Sequence, residues 1–175
     1  MSRSDDNYAP TELTAKRAAS IWRKLLADPV YDNLGDGPAS PEDRFNTGMA
    51  NAMISMLPNN ATNELLDAFE TKLAKELLNE TRDPYIRTSL SVDYHPCEIL
   101  QFCADRVGLN MQFPWKTSMN VHGDHLSVRA GYGAPSMFHY PLPDGRWLVT
   151  TLHGSDISKV IDLVQGGTPE FTVED

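Results

Sequence analysis

Two histidines flank a dipeptide that favours a tight turn. Gly123-Asp124 joins two runs in which apolar and polar residues alternate, which is the pattern of a β-hairpin with a two-residue turn. In such a hairpin His122 and His125 lie directly opposite each other, with their Cβ atoms about 5 Å apart. The same alternation places both imidazoles on the face of the hairpin that lacks its apolar residues.

A pair of imidazoles at this separation can supply two ligands to zinc or to a similar divalent metal. Asp124 lies between them, and a complete site needs a further ligand, for which the next hairpin offers His139 or His153. The candidate ligands of a metal-assisted hydrolase are therefore His122, Asp124, His125, His139 and His153. The alternative, and the more common situation, is that these histidines are solvated side chains at a hairpin tip.

A second group of reactive residue types is His95-Pro96-Cys97-Glu98. Pro96 suits the first position of a helix, which would place Cys97 in the first turn, where the helix dipole stabilises a thiolate. His95, directly before the helix, could then act as a base. Glu98 in the same turn would disfavour the thiolate, and a histidine before a helix is often a simple cap. His95 and Cys97 are thus candidate catalytic residues for which a structural role competes.

The composition is that of an ordinary globular protein. Of the 175 residues, 41% are hydrophobic and 22% are charged, so a core can form without a disulfide or a metal. Two cysteines are too few for a disulfide framework, which favours a reducing, cytoplasmic location. The chain shows no signal-peptide pattern and no apolar run of the ~18 residues that a membrane span requires.

The formal net charge of the chain is −9. Nucleic-acid binding depends on Lys and Arg placed against phosphates, so this charge argues against direct binding of nucleic acid. The charge favours solubility and is compatible with a basic protein partner. Acidic and basic residues are interleaved along most of the chain, however, so the charge by itself does not establish a partner.

The elements that must position these groups begin with three amphipathic helices. After a disordered tail, residues 1–9, the first helix begins at Pro10-Thr11 and ends near Ala27. Its predicted polar side consists of Lys16, Arg17, Arg23 and Lys24. The third helix is predicted to be capped by Asn59-Asn60 and to extend to about Asn79.

The second helix begins at Ser40-Pro41, where a capping hydroxyl precedes a proline at the first helical position. Its apolar stripe consists of Phe45, Met49, Ala52, Met53 and Met56. The stripe is predicted to be buried and to fill gaps in the core. If it were exposed instead, it would mark an interface.

The apolar period changes from helical to alternating near Tyr85. This change predicts a strand over residues 86–94 and a helix over 96–107 that ends at Gly108. Two hairpins follow, over residues 119–130 and 136–152, with turns at Gly123-Asp124 and at residues 143–145. A last helix is predicted from Ser155 to about Gln165, and residues 171–173 form a short edge strand.

This order of elements predicts an α+β fold in which N-terminal helices cover one face of a mainly antiparallel sheet. The sheet would consist of a strand–helix unit and two hairpins, followed by the final helix. We expect residues 10–175 to form a single domain, with a helical layer over 10–80 and the sheet-containing part over 85–175.

No motif specific to one reaction is present, which favours a small accessory or regulatory protein that binds another macromolecule, most plausibly a protein. A metal-assisted hydrolase and a homo-oligomeric structural component are the alternatives.

Overall fold

The computed structural model describes residues 8–29, 40–56, 60–79, 87–110, 113–114, 116–131, 134–153, 161 and 172–175. In these ranges the helices are α1 (Glu12–Ala27), α2 (Pro41–Met56), α3 (Asn63–Leu77) and α4 (Glu98–Val107). The strands are β1 (Thr88–Val92), β2 (Thr117–Val121), β3 (Leu126–Ala130), β4 (Met137–Pro141), β5 (Trp147–Thr150) and β6 (Thr172–Glu174). Helices come first and an antiparallel sheet follows, which confirms the predicted α+β class.

The six strands form one sheet in which every strand pairs antiparallel with its neighbour in the chain, in the order β1-β2-β3-β4-β5-β6. Both predicted hairpins are present, as β2–β3 and β4–β5. At the first tip the His122 N–H donates to the His125 carbonyl across 2.9 Å. At the second, Gly145 adopts the left-handed φ of 89° that a turn of this kind requires. The predicted edge strand corresponds to β6.

The main core lies between three helices and one face of β1–β3. Trp22, Phe69 and Leu73 from α1 and α3 are fully buried, as are Leu90 and Met119 from the sheet. α4, whose residues Leu100 and Cys103 are also fully buried, packs on α3 and on β1. Helices therefore cover one face of the sheet, as the sequence predicted.

α1 has a wider buried side than its apolar residues alone indicate. Thr14 is completely buried and Arg17 is only 6% exposed, so the prediction that Arg17 belongs to the solvated side is wrong. The reason is that α1 packs against α3 on one side and against the sheet on the other. Such a helix buries flanking positions that a helix with one partner would leave in water.

α2 departs from the prediction in the opposite direction. Its stripe is exposed: Phe45 by 65%, Met49 by 50%, Met53 by 64% and Met56 by 83%. Among the described helices and strands, none forms an extensive contact with α2. Among the side chains of this helix that the structure describes, Thr47 and Asn51 are half-buried, and they project away from the stripe. The predicted burial of the stripe is therefore wrong.

The starts of α3 and α4 differ from their predicted positions. Asn60 accepts a hydrogen bond from the Asn110 N–H (2.7 Å) and donates one to the Gly108 carbonyl (2.9 Å). Thr62 caps α3 instead, its Oγ1 accepting from the Leu65 N–H. Residues 96–107 were predicted as one helix, but α4 begins at Glu98, and Gly108 ends it at a φ of 74° as expected.

Some predicted elements lie outside the described residues. These are most of the N-terminal tail and the predicted helix from Ser155 to Gln165, of which only Ile161 is described. Ile161 and Val173 pack against a second, smaller cluster formed by Tyr140, Leu142 and Leu148. Among the described helices, none combines the length and the apolar character needed to cross a membrane.

The contrast between α2 and α3 can be measured with one substitution in each. Phe69 is fully buried and Phe45 is 65% exposed. Phe69→Ala should lower the free energy of unfolding by about 3–5 kcal/mol, because it removes buried surface and leaves a cavity. Phe45→Ala should change it by at most about 0.5 kcal/mol. Urea unfolding followed by circular dichroism gives both values. A comparable loss for Phe45→Ala would mean that α2 packs on the fold.

Candidate functional site

The tip of the β2–β3 hairpin is held against the start of α1. The Gly123 carbonyl accepts hydrogen bonds from the Thr11 N–H (3.1 Å) and from the Thr14 hydroxyl (3.2 Å). Thr11 is also the N-cap of α1, its Oγ1 accepting from the Thr14 N–H. The tip that carries the two histidines is therefore fixed in position by the helix beneath it.

The sheet face opposite α1 carries a cluster of rings at this tip, which we call the histidine cluster. It consists of His122, His125, Phe138, Tyr140 and His153. The His122 and His125 rings stack with their centroids 4.3 Å apart and their planes within 10°. The Tyr140 ring stacks on His125 at 5.2 Å, and the His153 ring lies 6.0 Å from His125, tilted by 57°. The predicted opposition of His122 and His125 is thus present.

Burial and neighbouring charges set the protonation of His122. Burial is the main cause that lowers the pKa of His122 to about 4, with His125, Arg87 and His153 acting in the same direction and Asp124 opposing them. His125 Nδ1 donates to the Asp124 carboxylate across 2.7 Å. In a neutral ring the remaining lone pair is then on Nε2. This atom is buried, with no hydrogen-bond partner among the described residues.

The stacking geometry does not by itself form a metal site. A metal ion binds an imidazole nitrogen in the plane of the ring, and the planes of His122 and His125 are nearly parallel. Their in-plane lone pairs therefore do not converge on one ion unless a ring rotates. Within the described ranges, no three His, Cys, Asp or Glu side chains are placed to hold a metal. The histidines that do meet are His122, His125 and His153.

His139 is separated from the other candidate ligands by the sheet. Its partner in the register of β3 is Leu126, a core residue, so its ring projects toward the helices and not toward the histidine cluster. There the Arg17 Nη2 donates to His139 Nδ1 across 3.3 Å and also forms an ion pair with Glu174. The Arg17 guanidinium lies 5.3 Å from the centre of the Trp147 ring.

This buried group of residues keeps His139 neutral. Because a guanidinium only donates, His139 Nδ1 accepts, which places the ring proton on Nε2. Burial lowers the pKa of His139 to about 4, and the positive charge of Arg17 acts in the same direction. Arg17 and Glu174 thereby connect α1 to the edge strand β6. The arrangement is one of structural support for the sheet.

His95 and Cys97 lie at the opposite end of β1 from this region. His95 is exposed and lines a cavity of about 510 Å³ together with Tyr94, Gln101 and Asp105. Cys97 is the N-cap of α4 and not a residue of its first turn, because its backbone is extended (φ −64°, ψ 161°). Its N–H donates to the Ser91 carbonyl across 2.8 Å. Its side chain is half-buried against the main core. The catalytic hypothesis for this pair stays a prediction.

A second candidate surface is the exposed stripe of α2, which we call the α2 apolar face: Phe45, Met49, Ala52, Met53 and Met56. Four of these five side chains are large, and each is at least half exposed. Large apolar side chains grouped on one exposed face are typical of sites that bind another molecule. Their flexible thioethers can adapt to surfaces of different shape.

Phe138 and Tyr140 were not predicted to belong to the histidine cluster. Their alternation in β4 was visible in the sequence, and it places them on the face opposite His139. What the sequence did not show is that Ser127 of β3 pairs with Phe138, because the sequence between these strands carries no tight-turn signal that would fix the register.

Comparison of this chain with known proteins found no matching family model, no similar curated protein and no similar solved structure.

The protonation of His139 predicts how stability depends on pH. The folded pKa of about 4 lies below the unfolded value of 6.5, so the unfolded chain binds the proton more readily between these values. The contribution of neutral His139 to the free energy of unfolding is complete above about pH 6.5 and is lost as the pH falls toward 4. It amounts to about 3 kcal/mol for this side chain.

His139→Gln should therefore flatten the loss of unfolding free energy between pH 7 and pH 4, as measured by urea unfolding at a series of pH values. Glutamine can still accept from Arg17, so the substitution removes the titration with limited change to the packing. His95→Gln controls for the loss of one histidine at an exposed position. An unchanged pH dependence in His139→Gln would show that His139 is not neutral in the folded protein.

Proposed function

We propose that this protein is a small accessory or regulatory protein that acts by binding another protein. The observation that supports this proposal is the α2 apolar face, on which Met56 is 83% exposed and Phe45 is 65% exposed. The helix begins directly after Ser40, whose carbonyl accepts from the Arg44 N–H (3.1 Å). Leaving such a face in water is unfavourable, and a partner would remove it from water.

The acidic balance of the chain is consistent with a partner that is itself basic. With a net charge of −9, association with a positively charged protein is accelerated and association with nucleic acid is opposed. Regulation, inhibition and assembly are all activities that need only such a surface. A cytoplasmic location remains part of the same proposal and follows from the low cysteine content.

The proposal predicts that two substitutions on α2 abolish partner capture. The full chain, immobilised and incubated with a native lysate, should enrich a specific partner over an unrelated acidic protein of similar charge. Met49→Glu with Met53→Glu should remove this enrichment, because the two carboxylates would have to be desolvated in the interface. The enriched protein is identified and quantified by mass spectrometry.

The matched control is Arg44→Glu, which changes the net charge by the same amount as the double substitution. Arg44 is exposed and lies on the side of α2 away from Met49 and Met53, so this variant should retain the partner. Absence of any enriched protein would contradict the proposed function as a whole.

A metal-assisted hydrolase is the second candidate, and the meeting of His122, His125 and His153 favours it. A metal would require His122 or His125 to rotate out of the stack, which would also give the buried Nε2 of His125 a partner. Chelator-free purification and metal analysis should then show stoichiometric zinc, manganese or iron. Loss of that metal in His125→Gln, with retention in His139→Gln, would support this candidate. Substoichiometric metal in the wild-type protein would exclude it.

A homo-oligomeric structural component is the third candidate, and the α2 apolar face would then join copies of this chain. Light scattering on the purified protein distinguishes a monomer from an oligomer directly.

A further inference from the structure

The cavity of about 510 Å³ beside His95 lies between the end of β1, α4 and the segment that follows α4. Part of its wall is apolar, because it includes Val92 and Leu109, which are only 4% and 5% exposed and belong to the main core. Sites for small molecules are typically cavities of ~300–1,000 Å³ that combine apolar surface with a few placed polar groups. The cavity therefore has the size of a small-molecule site.

Hydrogen bonds between separate segments hold the walls of the cavity in place. Asn60 fixes the segment after α4: its Oδ1 accepts from the Asn110 N–H (2.7 Å) and its Nδ2 donates to the Gly108 carbonyl (2.9 Å). After β1, the Asp93 N–H donates to the His95 carbonyl across 3.3 Å. Walls that are already fixed lose little conformational entropy when a ligand binds.

The carboxylates that line the cavity determine the charge of a complementary ligand. Asp93 comes from the end of β1 and Asp105 from α4, and no Lys or Arg is among the described residues that line it. Asp105 Oδ1 accepts from Gln101 Nε2 across 2.7 Å, and a carboxylate offers about four lone-pair positions in all. Asp105 can therefore accept further hydrogen bonds, and the charge of the lining favours a cationic ligand.

Lys116 shows how a cation binds at the edge of this cavity. Its ammonium forms an ion pair with the Asp93 carboxylate and lies 5.4 Å from the centre of the Tyr94 ring. Asp93 and Tyr94 both line the cavity, whereas Lys116 does not. An aromatic face within about 6 Å is a recognised partner of organic ammonium groups, and a carboxylate adds a charge-assisted hydrogen bond. The contacts that an ammonium ligand needs are thus present in the fold.

A metal ion is a poor occupant of this cavity. Within the part of the chain that the structure describes, no three His, Cys, Asp or Glu side chains are placed to hold one. The cavity also has room for far more than an ion whose ligands lie about 2.0–2.6 Å away. Tyr94 and Phe113 add aromatic surface that an apolar body can contact. The complementary ligand is therefore an organic cation with an apolar body.

We propose that this cavity is a binding site for a small organic cation, namely an ammonium or guanidinium compound with a short apolar or aromatic body. The cationic group pairs with Asp105, and the body contacts Phe113 and the Tyr94 ring. Lys116 competes with the ligand for Asp93 and Tyr94. The site goes beyond the proposed function and does not depend on it, since none of its lining residues belongs to α2.

Titration of the isotope-labelled full chain with phenethylammonium, followed by NMR, tests this inference. The probe joins an ammonium to an aromatic body, and a ligand of its size is expected to have a Kd of about 1 mM. The amide signals of residues 93–95 and 101–110 should shift on binding. Phenethyl alcohol, which has the same body without the charge, should bind at least tenfold more weakly. Hydrocinnamate, which carries a negative charge instead, should not bind.

Substitution of an acidic residue separates the site from the general attraction of an acidic protein for cations. Asp105→Asn should weaken the binding of phenethylammonium at least tenfold, because it removes the charge that pairs with the probe. Asp144→Asn changes the net charge equally at the exposed β4–β5 turn, and it should alter the affinity by no more than twofold. The same NMR titration gives both values.

Substitution of Lys116 should have the opposite effect. Lys116→Met removes the competing ammonium from Asp93 and Tyr94, so phenethylammonium should bind at least threefold more tightly. Lys75→Met removes one positive charge from an exposed position of α3 and should change the affinity by less than twofold.

Four results would overturn the inference. They are equal affinities for phenethylammonium and phenethyl alcohol, equal effects of Asp105→Asn and Asp144→Asn, amide shifts confined to segments away from the cavity, and no gain in affinity in Lys116→Met. None of these results affects the capture of a protein partner through α2, so a failure here is distinguishable from a failure of the proposed function.

Discussion

The packing of α1 between α3 and the sheet is the constraint on which the rest of the structure depends. Trp22 and Leu26 occupy the main core, while Thr14 and Arg17 extend the buried side toward the strands. The N-terminus of the helix holds the β2–β3 tip through the Gly123 carbonyl. Without this helix the layer of helices and the sheet would share little buried surface, and neither is large enough to be stable alone.

The sheet separates two chemically different regions that a linear sequence places side by side. On the helix side, His139 is neutral, buried and hydrogen-bonded to Arg17. On the other side, His122 and His125 stack beside Tyr140 at the hairpin tip. The strand alternation of two residues is responsible, because one step along β4 moves a side chain to the opposite face. Histidines that lie close together in the sequence therefore occupy two different environments, one on each face of the sheet.

The amphipathic helices α2 and α3 both carry an apolar stripe, but the stripe of α3 is buried and that of α2 is exposed. Phe69 and Leu73 of α3 are fully buried because α1 and α4 pack against them. Phe45 and Met53 of α2 remain exposed, with no described element packed extensively against them. An apolar stripe identifies a helix face that is stabilised by being covered, and it does not identify the surface that covers it. The exposed face of α2 is therefore the basis of the proposed function.

Local chemistry in the sequence determined the α+β class, the approximate extent of α1, the existence of β1 and both hairpins. Gly145 defines a turn through its left-handed φ, and Gly108 ends α4 in the same way. Short-range signals of this kind act within a few residues, so they can be interpreted without knowing the fold. The opposition of His122 and His125 was predictable for the same reason.

Only the tertiary structure decided which faces are buried and which side chains meet. It brought His153 to the histidine cluster, sent His139 to the other face, buried Arg17 and exposed the α2 apolar face. Each of these outcomes depends on whether a residue distant in the chain packs against the side chain, through strand register or helix packing. Hydrophobic burial has no direction of its own, so periodicity identifies an apolar face but not the surface that covers it.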